Sequence, residues 1–375
     1  MTMSKIRVGL VGAGQWARFG HIPVLQQLPQ YELAAVATTR RATADAAAAE
    51  FNVPSAYDNF SELVQQSDVD LVVVNTRAPE HFVVAQAAID AGKHVYCEWP
   101  LTTNTIDSTT LLDAASQAGI RHAVGLQRRM AASSRYLREL LEEGYVGQVR
   151  SLHLHVSEPT FYRQRADVLA FTAPGENFSS VLSIYGGHFL DMLFWISGWP
   201  NEIVAVTTSQ FDEVTLTGTN EVIPSSAPDQ LLISGTYTSG AVLSVHVEGG
   251  KRNGFGVRLE ITGTDGDLRL TYGEAFSNTR DGRIEGTQGE RQPMVELAIP
   301  ERLQWAPQLK MGGSVRELGN LYAALAADMA AGTSNAPTFA DALPMHQFLD
   351  LVEESSKTGR RAIWNSKLDS SINAT

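Results

Sequence analysis

Short runs of consecutive apolar residues alternate with helical patterns through the first third of the chain. The five runs are Ile6–Val11, Leu33–Ala37, Leu71–Asn75, His94–Glu98 and His122–Leu126. Each is apolar at successive rather than alternate positions, which is typical of a strand that helices cover on both faces. The alternation therefore predicts βαβ units and a parallel sheet.

The helical stretches between these runs have recognisable ends. Glu80–Ala91 is followed by Gly92, and Thr105–Ala118 is followed by Gly119. Glycine just past the last helical residue fits a left-handed cap. Asn104 is predicted to cap the N terminus of the second of these helices.

The pattern changes at about residue 150, where apolar and polar residues begin to alternate. The alternating segments are Ser151–Glu158, Leu231–Val247 with a Ser-Gly turn inside it, Leu259–Thr262 and Leu268–Tyr272. The turn Gly263–Gly266 between the last two is typical of a hairpin. These segments predict a mostly antiparallel sheet with one solvated face.

Helices and loops interrupt this second region. The predicted helices are Ser183–Ser197, Val315–Ala331 and Leu343–Lys357. Two stretches rich in Gly, Thr, Ser and Pro, Asp212–Asp229 and Asp281–Gln292, are interpreted as surface loops.

Together the patterns predict a two-domain α/β protein. Residues 1–126 are predicted to form a Rossmann dinucleotide-binding domain. Residues 127–375 are predicted to form a second, α/β domain built on a mostly antiparallel sheet. An alternative packing places the C-terminal helices back on the first domain.

Composition narrows the classes of partner. The chain has 29 Lys plus Arg against 41 Asp plus Glu, a net charge of −12, which disfavours nucleic-acid and anionic-membrane binding. Cys97 is the only cysteine, so a disulfide framework and a multi-cysteine metal centre are excluded, and no metal is expected. Neither a signal-peptide pattern nor a run of about 18 apolar residues occurs, so a cytoplasmic location is expected.

A glycine motif follows the first apolar run. Gly12-Ala13-Gly14-Gln15-Trp16-Ala17 has the form G-x-G-x-x-A between a strand and a helix. Gly12 would make the tight turn, Gly14 would let a pyrophosphate approach the backbone, and Ala17 would permit close packing. The alternative is a tight turn without a ligand. We expect cofactor binding, with Gln15 and Trp16 among the contacts.

The end of the second strand indicates which dinucleotide binds. An acid there usually accepts hydrogen bonds from the ribose of NAD. This chain has Thr38, Thr39 and Arg40 instead, and a guanidinium suits a 2′-phosphate. NADP is therefore predicted over NAD, unless Arg40 and Arg41 form only a solvated helix entry.

Several further segments carry a family resemblance. They are Val74-Asn75-Thr76 with His81, Gly92–Pro100, Gly125–Arg129 around Gln127, and Gly186–Asp191. This layout resembles the Gfo/Idh/MocA oxidoreductases, over essentially the whole chain. The resemblance implies a Rossmann domain followed by an α/β domain whose open sheet often forms a dimer face. The resemblance also assigns substrate binding and oligomerisation to residues 127–375, with their large, mostly antiparallel open sheet, so a homodimer or homotetramer through that sheet is expected.

The resemblance also implies site residues. The family's Glu-Lys-Pro falls on Glu98, Trp99 and Pro100, and its catalytic His falls on His188. Glu98 would contact the ribose or nicotinamide side of the cofactor. Asn75, Thr76, His81, Trp99, Pro100 and Gln127 complete the predicted cofactor-binding set.

Two positions depart from the family pattern. Trp99 stands where the family has its catalytic Lys, and Ile184 where it has Asp. Neither side chain can exchange a proton with a substrate hydroxyl.

His188 remains, and its ordinary pKa of ~6.5 suits proton exchange near neutrality. On a helix Tyr185 and Asp191 share its face, so the three are candidates for acid, shuttle and orienter. The alternative for each of the three is an ordinary structural role in the core.

Two functions follow from these features. The first is an NADP(H)-dependent oxidoreductase that transfers hydride to or from a sugar, polyol or related compound. The Glu-Trp-Pro variant is similar to a branch containing the galactose-pathway regulatory repressor of yeasts. The second function is therefore a catalytically inert, dinucleotide-binding regulator that acts through a protein partner.

Overall fold

The computed structural model describes residues 5–277 and 281–365 of the chain. Contacts divide it into two compact units. The first comprises Met1–Met130 and Gln304–Leu343, and the second comprises Ala131–Leu303 and Pro344–Thr375. No helix in the described ranges is both long enough and apolar enough to span a bilayer.

Six parallel strands form the sheet of the first unit. They are β1 (Ile6–Val11), β2 (Tyr31–Ala37), β3 (Ser55–Tyr57), β4 (Leu71–Val74), β5 (His94–Cys97) and β6 (His122–Val124). Their spatial order is β3-β2-β1-β4-β5-β6, which is the Rossmann order. The order reverses beside β1, and ligands of such sheets bind at this point. The predicted Rossmann fold is confirmed.

Five helices of this unit connect the strands. They are α1 (Ile22–Gln27), α2 (Arg41–Phe51), α3 (Phe60–Val64), α4 (Ala78–Asp90) and α5 (Thr105–Ala118). A π-helical segment, Ala17–His21, leads directly into α1. Asn104 caps α5 as predicted, since its side chain accepts a 2.8 Å hydrogen bond from the amide of Asp107. Gly119 ends that helix with φ +63°.

The second unit contains the remaining strands. They are β7 (Val149–Glu158), β8 (Gln164–Arg165), β9 (Glu202–Thr208), β10 (Glu213–Leu216), β11 (Val222–Pro224), β12 (Gln230–Thr236), β13 (Val242–Gly249), β14 (Val257–Gly263), β15 (Gly266–Tyr272), β16 (Arg283–Gln288), β17 (Val295–Leu297) and β18 (Ala362–Ile363). Nine of them form one sheet in the order β17-β16-β15-β14-β7-β13-β12-β9-β18. Within it β7 and β13 run parallel, and the other described pairs are antiparallel.

The two faces of this sheet differ, as predicted. Along β13, Leu243, Val245 and Val247 are buried, whereas Ser244 is exposed and His246 half-buried. This alternation leaves one face outside the core, because successive strand residues point to opposite sides. The predicted large, mostly antiparallel open sheet is confirmed.

Both predicted loops were wrong in part, because they contain strands. Asp212–Asp229 includes β10 and β11; β10 pairs with β11 on one side and with β8 on the other, in a small three-stranded sheet. Asp281–Gln292 includes β16, which pairs with β15. Polar residues and glycine obscured both segments, and the partner strand rather than intrinsic propensity determines the structure there.

Four further helices follow β6 along the chain. They are α6 (Ala132–Glu142), α7 (Gly187–Ser197), α8 (Gly313–Ala331) and α9 (Phe339–Thr358). The predicted helix Ser183–Ser197 is a π-helical segment, Val181–Gly186, continued by α7. α8 belongs to the first unit, where buried Arg128 donates a 2.8 Å hydrogen bond to Glu317 of that helix.

Candidate functional site

The loops after β1, β2, β4 and β5 leave the parallel sheet at one edge. Val11 lies in register with Ala37 of β2 and with Val74 of β4. Val74 lies in register with Cys97 of β5. The structure thus gathers six of the predicted cofactor-binding residues at this edge, namely Gly12, Gly14, Thr38, Asn75, Thr76 and Glu98.

The first of these loops contains two glycines with different surroundings. Gly12 has φ +98°, and a Cβ there would lie 2.3 Å from the carbonyl oxygen of Asn75. A Cβ on Gly14 would meet nothing within 4 Å. Open space therefore lies over the start of the first helix, where amide groups point outward and favour an anion.

Residues at the start of that helix are held by packing. Ala17 is fully buried, and Gln15 is exposed. The ring of Trp16 covers Gly20, where a Cβ would come within 2.9 Å of it. Trp16 also packs edge-to-face on His21, with ring centroids 5.7 Å apart.

The segment after β2 presents a cation. Thr38 donates a 2.9 Å hydrogen bond to the carbonyl oxygen of Arg40, while Thr39 and Arg40 are exposed. Arg41 pairs with Asp45 at 2.9 Å. No such ion pair engages Arg40 among the residues that the structure describes.

Two buried oxygens near this edge lack hydrogen-bond partners among the described residues. They are Thr76 Oγ1, after β4, and Oε1 of Gln127, which is itself buried. His81, also buried, lies with Nδ1 2.7 Å from the Pro100 carbonyl oxygen and Nε2 3.2 Å from that of Thr76. Burial lowers the pKa of His81. The His81 ring therefore links the two loops, and the unpartnered oxygens are suited to a polar ligand.

Glu98 is held by residues that the sequence did not reveal. The hydroxyl of Tyr96 donates a 2.7 Å hydrogen bond to Glu98 Oε1, and His21 Nε2 lies 3.0 Å from the same oxygen. His21 Nδ1 lies 2.7 Å from the hydroxyl of Tyr322 on α8. Burial raises the pKa of Tyr96 and of Tyr322 well above 10, so both hydroxyls keep their protons.

The residues after Glu98 are enclosed. Trp99 is 3% exposed, Pro100 is buried, and the peptide bond between them is cis. A Cβ on Gly125 would lie 3.0 Å from both Glu98 Oε1 and the amide nitrogen of Trp99. An indole thus fills the position after Glu98, and no ammonium group is available there.

In the second unit, Tyr185 and His188 both pack against the ring of Phe276. Their ring centroids lie 5.1 and 5.2 Å from that of Phe276, both in edge-to-face geometry. His188 is 5% exposed. Asp191, three residues further along α7, is 3% exposed.

Glu158 at the end of β7 joins this cluster. Its carboxylate accepts hydrogen bonds from the hydroxyls of Tyr185 and Thr160 and from the amide of Thr160, the last at 2.9 Å. Burial raises the pKa of Glu158 despite these bonds. A carboxyl with a raised pKa, joined to a tyrosine hydroxyl, is equipped to exchange a proton.

The first unit's residues fit a dinucleotide. The open space over Gly14 accommodates a diphosphate, and Thr76 Oγ1 and Gln127 Oε1 offer unused hydrogen-bonding atoms. Glu98 presents a fixed carboxylate at the same edge of the sheet.

Two family profiles match the chain. Residues 6–126 match the Gfo/Idh/MocA oxidoreductase family, NAD-binding Rossmann fold. Residues 133–272 match the C-terminal domain of Gal80p.

Individual proteins agree with these profiles. Dehydrogenase aclE of Aspergillus oryzae is 32% identical to this chain, in an alignment that covers 58% of this chain and 62% of that protein. Inositol 2-dehydrogenase 4 of Saccharopolyspora erythraea is 28% identical over 90% of this chain and 96% of that protein. A super-repressor mutant of Gal80p from Saccharomyces cerevisiae shares the fold, with TM-score 0.83, 22% identity and coverage of 96% of this chain and 98% of that one.

The two matches therefore cover different parts of the chain, residues 6–126 and residues 133–272. Together with these relatives, the two matches show that the chain resembles the Gfo/Idh/MocA family, in a branch that is similar to Gal80p.

Proposed function

We propose that this protein is an NADP(H)-dependent oxidoreductase that acts on a sugar, a polyol or a related polyhydroxylated compound. The observation that carries the proposal is the loop from Gly12 to Gly14, which has no room for a side chain at its first glycine and open space at its second. A turn without a ligand does not require that second feature. The inositol dehydrogenase among the relatives supports the class of substrate.

Different groups of the predicted binding residues contact different parts of the cofactor. The amide groups after Gly14 bind the diphosphate, and Gln15 and Trp16 flank it. Arg40 binds the 2′-phosphate, with Thr38 and Thr39 beside it. Asn75, Thr76, Glu98, Trp99, Pro100 and Gln127 border the ribose and nicotinamide, and His81 holds two of these loops in place.

The second unit supplies the proton chemistry. When bound, the dinucleotide would supply the hydride chemistry at the substrate's carbinol carbon. His188 binds the reacting hydroxyl, and Tyr185 takes its proton while passing its own to Glu158. Asp191 orients the helix that carries His188. In the reverse direction the same groups return the proton to the carbonyl oxygen.

An oligomer through the open sheet is part of the proposal. Val204, Val206, Leu232 and Val242 are each at least 40% exposed on its outer face. They lie on the neighbouring strands β9, β12 and β13. An apolar patch on adjacent strands is suited to a second copy of the chain.

One observation favours a second candidate function, a dinucleotide-binding regulator. Trp99 is buried where the family carries a lysine, so the cation that would stabilise an alkoxide is missing. The match of residues 133–272 to Gal80p supports this alternative. Such a protein would bind NADP(H) without turnover and change its affinity for a protein partner with occupancy.

Turnover separates the two candidates. The test measures NADP(H)-dependent rates on sugars, polyols and keto sugars, alongside dinucleotide affinity by fluorescence titration. An oxidoreductase gives a measurable rate that falls at least about 100-fold in His188→Ala, with dinucleotide affinity unchanged. Tight binding without turnover of any compound overturns the enzyme and supports the regulator.

A further inference from the structure

Three potential metal ligands lie together on the outer face of the open sheet. His155 of β7 pairs in register with His246 of β13, and Glu248 follows two residues later on the same face. The two imidazole rings stack with centroids 4.8 Å apart and an angle of 15° between their planes. One ligand atom from each of the three residues lies within 4.8 Å of the others.

The ring nitrogens of both histidines are disposed as a metal requires. His155 Nε2 has no hydrogen-bond partner among the described residues and lies 3.8 Å from Glu248 Oε2. His246 Nε2 lies 3.2 Å from the amide oxygen of Gln230, which can only accept a hydrogen bond. The proton of His246 therefore belongs on Nε2, and Nδ1 keeps its lone pair. Metal-binding histidines are commonly oriented by such an acceptor.

Lys251 would compete with a metal ion for the carboxylate of Glu248. Its ammonium group pairs with Glu248 at 2.7 Å. A divalent cation between the three side chains would meet this charge directly, so we expect Lys251 to weaken the binding of a metal ion. The ring of Phe255 packs edge-to-face on His155, with centroids 4.6 Å apart.

We propose that His155, His246 and Glu248 bind one first-row divalent transition ion, zinc foremost, with water in the fourth position. Two imidazoles and a carboxylate form a donor set that favours zinc over calcium or magnesium. Tetrahedral bonds of ~2 Å place ligand atoms ~3.3 Å apart, so the present separations of up to 4.8 Å must shorten by at most ~1.5 Å. The ion would join β7 to β13, the one described parallel pair of the nine-stranded sheet. This proposal is independent of the dinucleotide site.

The test titrates the full chain, first treated with a chelator, with zinc alone, using isothermal calorimetry or competition with a chromophoric chelator. We expect one zinc ion per chain, and weakening of at least about tenfold in His155→Ala and in His246→Ala. Lys251→Gln should tighten binding by about fivefold, because a like charge is removed. Cobalt should give the visible spectrum of a tetrahedral site, and calcium should not compete.

A matched control lies on the same strand and face. His153 is exposed two residues before His155, so His153→Ala should leave the zinc titration unchanged. Size-exclusion chromatography of each variant checks that its folding and association are unaltered. The proposal is overturned if the wild-type chain binds no zinc, or if the His155→Ala/His246→Ala double variant binds it as tightly as the wild type.

Discussion

Nε2 of the buried His21 lies 3.0 Å from Oε1 of Glu98, although His21 ends the π-helical segment Ala17–His21 and Glu98 follows strand β5. Tyr96 donates to the same oxygen, and Tyr322 contacts the other nitrogen of His21. The Glu98 carboxylate is therefore fixed before any ligand arrives. A group positioned in advance binds its ligand without a further loss of side-chain entropy.

The two glycines of the first loop should respond differently to alanine. Gly12→Ala should destabilise the protein by about 2 kcal/mol or more, because its backbone angle and the nearby Asn75 carbonyl both reject a Cβ. Gly14→Ala should leave the free energy of unfolding nearly unchanged but weaken dinucleotide binding. Urea denaturation and fluorescence titration measure the two quantities. Equal dinucleotide affinity in wild type and Gly14→Ala contradicts the proposed diphosphate position.

Arg40 and Arg41 form a matched pair for testing cofactor choice. Arg40→Ala should weaken NADPH binding by about tenfold or more and leave NADH binding nearly unchanged, because one charged hydrogen-bond donor to the 2′-phosphate is lost. Arg41→Ala should change neither affinity, since Arg41 is exposed and paired with Asp45. Titrations of the wild type and both variants with NADPH and with NADH measure these affinities. A wild-type preference for NADH contradicts the prediction.

Glu158 should control the acidic side of the rate profile. Its pKa is raised by burial, so the carboxylate, the form that accepts a proton, is lost as the pH falls through a value above the ordinary 4.5. Glu158→Gln should lower kcat by about 100-fold and remove this limb, with dinucleotide affinity unchanged. Thr160→Val should move the limb to higher pH, because the hydroxyl hydrogen bond lowers the pKa of Glu158. A limb that neither variant changes contradicts the role.

The buried His346 should make stability depend on pH. Burial lowers its pKa to about 3, whereas in the unfolded chain it has the ordinary 6.5. Between these values the unfolded state binds more protons, so stability is fully present above pH 6.5 and declines as the pH falls. The loss should reach about 2 kcal/mol at pH 5.

Urea denaturation from pH 7.5 to 5 measures this loss. His346→Leu should reduce the slope, and the exposed His153→Ala should not. An unchanged slope in His346→Leu would show that another group is responsible.

The parallel sheet could be predicted because each of its main strands is a short run of consecutive apolar residues in the sequence. The observed β1 has the predicted bounds, and α5 matches the predicted Thr105–Ala118 together with its cap. β16 could not be predicted in this way. Its side chains alternate weakly, and its pairing with β15 decides the structure.

The residues of the candidate site likewise include some that the sequence predicts and others that it does not. The glycine loop lies within one stretch of sequence, so the order of residues reveals it. His21 and Tyr322 are in contact although they are 301 positions apart in the sequence, and neither is part of a recognisable motif. Glu158 and Tyr185 likewise lie on separate elements. Only tertiary packing brings such partners together.

The membership of α8 in the nucleotide unit has a consequence for synthesis on the ribosome. Leu318 and Tyr322 of α8 are fully buried in the same hydrophobic core as Val8 of β1. A nascent chain therefore has to hold its first sheet with an incomplete core while the intervening residues Ala131–Leu303 are translated. Fragments that stop near residue 130 should aggregate or recruit chaperones.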